Sequence, residues 1–95
     1  MATLSDTEVK AALADLPGWE LTGADIVKEY KFADFVAAMA FVNQLADRAE
    51  AANHHPDIDI RWNKVRLALS THSEGGLTPK DFALAHEIES LAGAA

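Results

Sequence analysis

Apolar positions change period several times along this chain, and each change marks a new element. Val9, Ala12, Leu13 and Leu16 recur at helical spacing behind Ser5, and Glu8, three residues after that serine, completes a capping box. Pro17-Gly18 ends the pattern, because proline disfavours helix in the residue before it. Residues 19–21 read as a short strand and Gly23-Ala24-Asp25 as its turn. Residues 26–32 form a second strand with Ile26, Tyr30 and Phe32 on one side, and only Lys28 breaks the alternation. A helix is predicted over 34–53, with Asp34 as N-cap. Its expected apolar stripe is Phe35, Met39, Val42, Ala46 and Ala49, and its wet side carries Asn43, Asp47 and Glu50. Pro56 stops it near Asn53.

A hairpin follows. Ile58, Ile60 and Trp62 alternate with Asp57, Asp59 and Arg61, and a turn is predicted at Asn63-Lys64. Val65, Leu67 and Leu69 then alternate with Arg66, Ala68 and Ser70, so each arm has one packed and one wet face. Gly75-Gly76 releases the strand, and Thr78-Pro79 opens the last helix as N-cap and first helical residue. Its apolar face is Phe82, Ala85, Ile88 and Leu91, or Leu84 with Ile88 and Leu91 after a small rotation, and Gly93 is expected to stop it. The order α-β-β-α-β-β-α makes this an α+β fold, an antiparallel sheet with helices gathered on one face. No internal repeat or linker divides the chain, so residues 1–95 read as a single domain.

Composition narrows the chemistry. A chain of 10.2 kDa shrinks from about 14,800 Å² of surface to about 5,300 Å² on folding, enough for one core and too little for two. The net charge of −7 argues against nucleic acid as a partner, since phosphate backbones are held by Lys and Arg. Without cysteine there is no disulfide scaffold, thiolate zinc site or cysteine nucleophile. The N-terminus shows no basic or apolar targeting pattern, and the longest apolar run, residues 35–42, is far below the ~20 that span a bilayer. A soluble, cytoplasmic protein without membrane contact is expected.

Three of the four histidines, His54, His55 and His72, are predicted to converge. The first two lie where the long helix joins the hairpin, and the third ends the hairpin's second arm. Antiparallel pairing brings the start of one arm to the end of the other. Imidazole, with an unperturbed pKa near 6.5, gives and takes protons at neutral pH, and general acid–base catalysis of this kind is worth about 10²–10⁴-fold. No Gly-x-Ser-x-Gly elbow accompanies Ser70 or Ser73. A metal set of His54, His55, Asp57, Asp59 and His72 is the competitor, disfavoured because both aspartates lie on a strand's wet face and no His-x-x-x-His occurs. Each residue also has a plain structural explanation. Glu50 suits a helix-side ion pair, Asp81 suits a helix N-terminus, Trp62 suits a core position and His86 a structural or surface one.

In chain order these residues spell Glu50-x3-His54-His55-Pro56-x5-Trp62-x9-His72-x8-Asp81. The string resembles the signature of the pterin-4a-carbinolamine dehydratases at every specified position, and length, Gly18-Trp19 and element order agree with that family. The resemblance implies a four-stranded antiparallel sheet with three helices on one face. It also implies homodimers built by extending the sheet across a two-fold axis, and in some members homotetramers. The implied reaction is loss of water from 4a-hydroxytetrahydropterin to give quinonoid dihydropterin, which recycles the cofactor of aromatic amino acid hydroxylases and makes such a hydroxylase a functional partner. The pterin is the substrate, and neither a further cofactor nor a metal is implied.

The resemblance assigns His54 and His72 as the acid–base pair and His55 as a residue that holds the pterin. Asp81 would orient His72 or fix its tautomer, Glu50 would bond the pterin or His54, Pro56 would stiffen the joint and Trp62 would shape the pocket wall. The alternative from another class is a non-catalytic module that serves as dimerisation cofactor of a transcription regulator, as some members of this family do. Three intact histidines count against it.

Overall fold

The capping box closes as the sequence predicts. Ser5 Oγ accepts from the Glu8 N–H at 3.2 Å, and the Glu8 carboxylate accepts from the Ser5 N–H at 2.9 Å. The Ser5 N–H foremost, and then the Ser5 hydroxyl, hold the Glu8 carboxyl below its ordinary value. In the computed structural model, which describes residues 3–94, the two bonds of the box start α1 (Asp6–Leu13). Residues 1, 2 and 95, included in the single-domain expectation, lie outside the described residues. The chain continues through β1 (Glu20–Thr22), β2 (Asp25–Lys31), α2 (Phe35–Ala52), β3 (Asp57–Arg61), β4 (Lys64–Leu69), a short 3₁₀ turn (His72–Glu74) and α3 (Pro79–Ala94). All strand pairs are antiparallel, in the order β1-β2-β4-β3. Three helices and a four-stranded sheet thus form the expected α+β fold. No helix among the described residues is long and apolar enough to cross a membrane.

The inner face of the sheet, with Ile26, Val65, Leu67 and Leu69 all fully buried, meets Phe41 and Leu45 of α2 and Leu84 and Ile88 of α3. Lys28 also points to that face, and its environment explains how a cation fits there. Its Nζ donates to Glu89 Oε1 at 2.7 Å and to the Pro17 carbonyl at 2.9 Å. The butylene stem crosses Gly18, where an added Cβ would lie 2.9 Å from Lys28 Cε and where φ is +86°. Glycine at that position meets both demands.

Glu89 also accepts from the Tyr30 hydroxyl at 2.7 Å. Burial first, and then the Glu89 carboxylate, push the Tyr30 hydroxyl well above its ordinary value. The folded state holds this proton more tightly than the unfolded chain, so the linked stability is intact below pH ~10 and is lost as pH rises beyond it. The urea midpoint should fall between about pH 9 and pH 12, and less steeply in Tyr30→Phe than in the parent. Equal slopes would show that this linkage is not exerted by Tyr30.

Four expectations shift on folding. The buried stripe of α2 is Ala38, Phe41, Leu45 and Ala49, whereas Phe35 and Ala46 are exposed. Residues 35–42 are apolar all round, so periodicity within them does not select a face. The hairpin turn is Trp62-Asn63, one residue earlier than expected, because the buried Asn63 is held by its Nδ2 donating to the Phe32 carbonyl at 2.9 Å. β1 begins one residue late, since Trp19 turns into the core. Gly93 does not stop α3, which runs to Ala94.

On edge strand β3, Ile58 faces inward yet remains 39% exposed, because the helices cover the middle of the sheet more fully than this side.

Candidate active site

The long helix ends in a motif that places a histidine exactly once around the turn. Asn53 adopts the left-handed conformation at φ 49°, which asparagine tolerates better than most residues. The His54 N–H reaches back to the Ala49 carbonyl at 3.1 Å and the Asn53 N–H to the Glu50 carbonyl at 3.2 Å, the paired bonds of a Schellman motif. His54 is thereby turned inward and buried, while His55 faces out and meets the Glu50 carboxylate through Nε2. Pro56 then directs the chain into β3.

The buried imidazole has a fully buried partner from the third helix. His54 Nε2 lies 2.5 Å from Asp81 Oδ1. Asp81 sits in the first turn of α3, where the helix dipole favours negative charge. Its other oxygen, Oδ2, accepts from the Thr71 hydroxyl at 2.8 Å and from the Thr78 N–H at 2.9 Å. Thr71 and Thr78 Oγ1 are 2.8 Å apart. Since the Thr71 proton goes to Asp81, the Thr78 hydroxyl is the donor to Thr71, and Thr78 accepts in turn from the Lys80 N–H at 3.3 Å. Every donor in this chain points toward the carboxylate. Asp81 is an acceptor only, so the proton on the short bond belongs to His54 Nε2. Nδ1 is the ring nitrogen left for chemistry.

His72 enters from the other side of this network. Thr71 turns inward to Asp81, and its backbone forms a bridge with Gly76 that closes residues 71–76 into a small loop. The next residue, His72, opens the 3₁₀ turn with its side chain exposed. β3 and β4 are registered with Asp57 opposite Ala68, so the chain before β3 and the chain after β4 share one end of the sheet. The three histidines reach that end from two separate segments, as predicted. Among the described residues no group of three His, Asp or Glu side chains is placed to hold a metal ion.

Two kinds of comparison bear on this arrangement. The family model described as pterin 4 alpha carbinolamine dehydratase matches residues 2–91. A relative from Acidobacterium capsulatum is 56% identical over 91 residues, covering 96% of this chain and 99% of its own. One from Mycobacterium tuberculosis is 50% identical over 94 residues, covering 99% and 100%. Both carry a provisional pterin-4-alpha-carbinolamine dehydratase name. This chain belongs to the pterin-4-alpha-carbinolamine dehydratase family. Among solved structures, a transcriptional coactivator/pterin dehydratase from Brucella melitensis superposes with a TM-score of 0.93 at 36% identity, covering 96% of this chain and 99% of that one. A pterin dehydratase-like RuBisCO assembly factor of the alpha-carboxysome superposes at 0.66 with 23% identity over 81% and 89%, a likeness of fold.

The family string does not converge as a whole within one chain. Glu50, His54, His55, Pro56, His72 and Asp81 gather at one end of the sheet. Trp62 is at the opposite end, in the hairpin turn, 66% exposed and with a φ of 53°. The plain structural explanation of Trp62 as a core residue also fails, because the shifted turn leaves it outside the packed arm. The partners differ too from those the resemblance implied: Asp81 meets His54 rather than His72, and Glu50 meets His55 rather than His54. Thr71 was not legible as part of the site, and Thr78 was legible only as a helix cap. A threonine beside the strand-ending histidine, followed by a Thr-x-x-Asp cap, is the pattern that would have revealed both.

Proposed function

We propose that this chain is a dehydratase that removes water from 4a-hydroxytetrahydropterin to give quinonoid dihydropterin. One observation carries it: His54 Nε2 is hydrogen-bonded to the buried Asp81 carboxylate, and the exposed His72 directly follows the Thr71 whose hydroxyl donates to the same carboxylate. In the elimination a proton goes to the C4a hydroxyl, the C4a–O bond breaks and water departs. The neighbouring ring nitrogen gives up its proton, and that bonding pair closes the C4a=N bond. His54 Nδ1 takes the ring-nitrogen proton, since the imidazolium so formed faces the Asp81 carboxylate across Nε2. His72 supplies the proton to the leaving hydroxyl. His55, held by Glu50, binds the pterin, and Pro56 keeps that pair in place. Self-association belongs to the same reading, with the open edge of β3 and the exposed Phe35 and Val36 as available surfaces.

Stopped-flow mixing of enzymatically generated carbinolamine with the purified protein tests this. Dehydration should be accelerated by at least about 10²-fold over buffer at neutral pH. No acceleration would favour the non-catalytic, protein-binding role instead.

A further inference from the structure

The face of the sheet turned away from the helices carries a second constellation, independent of the histidines. β2 pairs with β4 so that Lys31 lies opposite Lys64, and β4 pairs with β3 so that Lys64 lies opposite Arg61. Three cations therefore stand side by side across three strands. One step along, Glu29, Arg66 and Asp59 form the next row. Four of the eight Lys and Arg of a chain with net charge −7 are gathered here.

Like charges directly opposed in a sheet destabilise it. Ion pairing relieves only one end of this row: of the four cations only Arg61 makes an ion pair among the described residues, at 3.3 Å to Asp59, and Glu29 and Asp59 stand in the adjacent row. Protection of an open sheet edge by charge would account for Arg61 on β3, but Lys31 and Lys64 stand on the two central strands.

The row borders a concavity of about 700 Å³ lined by Glu29, Lys31, Arg61, Trp62, Asn63 and Lys64. Trp62 supplies an aromatic wall. Its positive φ of 53° is set by the two-residue hairpin turn, whose first position it fills. A row spanning three strands is about 10 Å long. A flat ring against Trp62 with an extended chain of negative groups along the lysines satisfies every one of these features.

We propose that this groove binds a small planar aromatic compound bearing a polyphosphate chain, the chemistry of a nucleoside polyphosphate. Within one chain the site stands apart from the dehydration site, at the other end of the five-residue strand β3, about 17 Å away. It does not depend on the proposed reaction.

Calorimetric titration of the full chain with metal-free ATP, tripolyphosphate and adenosine tests it. ATP should bind saturably with a Kd below about 1 mM at about 50 mM salt, and weaken at about 500 mM as the charges are screened. The double variant Lys31→Gln/Lys64→Gln should lose at least about tenfold in affinity while its circular-dichroism melt stays at or above the parent's, because the opposed charges are removed from the row. Trp62→Ser should bind ATP several-fold more weakly and tripolyphosphate unchanged. Absence of saturation, an affinity untouched by the double charge removal, or tripolyphosphate binding as tightly as ATP would each overturn the proposal.

Discussion

Asp81→Asn will keep the protein folded and lose most of the proposed dehydratase activity, and Asp81→Ala will lose the fold's stability as well. The two outcomes follow from one buried carboxylate with three donors aimed at it: the His54 Nε2–H, the Thr71 hydroxyl and the Thr78 N–H. Alanine leaves all three unpaired in a site with no solvent access to that carboxylate's position. Unpaired buried donors cost about 1–3 kcal/mol each and do not sum fully, so a loss of about 3–5 kcal/mol is expected. For a domain this small, that is a fall in melting temperature of more than about 10 °C.

Asparagine keeps the shape and one acceptor. Its carbonyl can serve Thr71 and Thr78, and its amide then faces His54, which must present a bare Nε2. The ring proton moves to Nδ1, the nitrogen proposed to act as base. A comparable amide exchange behind a catalytic histidine costs about 10⁴-fold in the Ser-His-Asp enzymes, and a drop in kcat of about 10²–10⁴-fold is expected here. Circular-dichroism melts alongside stopped-flow dehydration separate the two variants. Parental kcat in Asp81→Asn would show that the His54 tautomer is irrelevant to the reaction.

His72→Gln should do the opposite, removing activity and sparing stability. The side chain is exposed, and it makes no hydrogen bond or ion pair among the described residues, so its loss should shift stability by no more than about 0.5 kcal/mol. As the proposed proton donor to the leaving hydroxyl, it should account for about 10²–10⁴-fold in kcat. Steady rates with an unchanged melting curve would sink its assignment. The contrast with His54 matters for reading any such series. Considered as motif positions, the two histidines look equivalent, and replacing both by alanine looks neutral to the fold. In the folded protein His54→Ala removes one of the three donors to the buried Asp81 carboxylate, at a cost of about 1–3 kcal/mol, so lost activity in that variant mixes chemistry with destabilisation.

Most of the elements were legible because their signals are local. Ser5 with Glu8, Asp34, and Thr78 with Pro79 each announce a helix start from a few adjacent residues. Alternation in residues 57–69 announced a hairpin and its packed face. What failed was anything that depends on a distant neighbour. The face of α2 was ambiguous because both candidate stripes are apolar, and packing against the sheet and α3 selected Phe41 and Leu45. The turn at Trp62-Asn63 was displaced because Asn63 finds its acceptor on Phe32, 31 residues earlier. Lys28 looked like an error in a strand pattern until Glu89, 61 residues later, supplied its partner.

The candidate site divides in the same way. The sequence by itself determined which imidazoles and carboxylates are present, and that antiparallel pairing brings His54, His55 and His72 to one end of a sheet. Residue spacing and strand polarity are enough for that. It did not determine which histidine receives Asp81, whether Thr71 belongs to the site, or that Trp62 stands at the far end beside three opposed cations. Those are matters of which side chains meet once α3 docks beneath the joint of α2 and β3 and the strands settle into register. Hydrogen bonds act over about 3 Å, whereas sequence patterns place an element only to within a residue or two. A one-residue change of register or a modest helix rotation changes every such partner, and only the packed tertiary structure decides it.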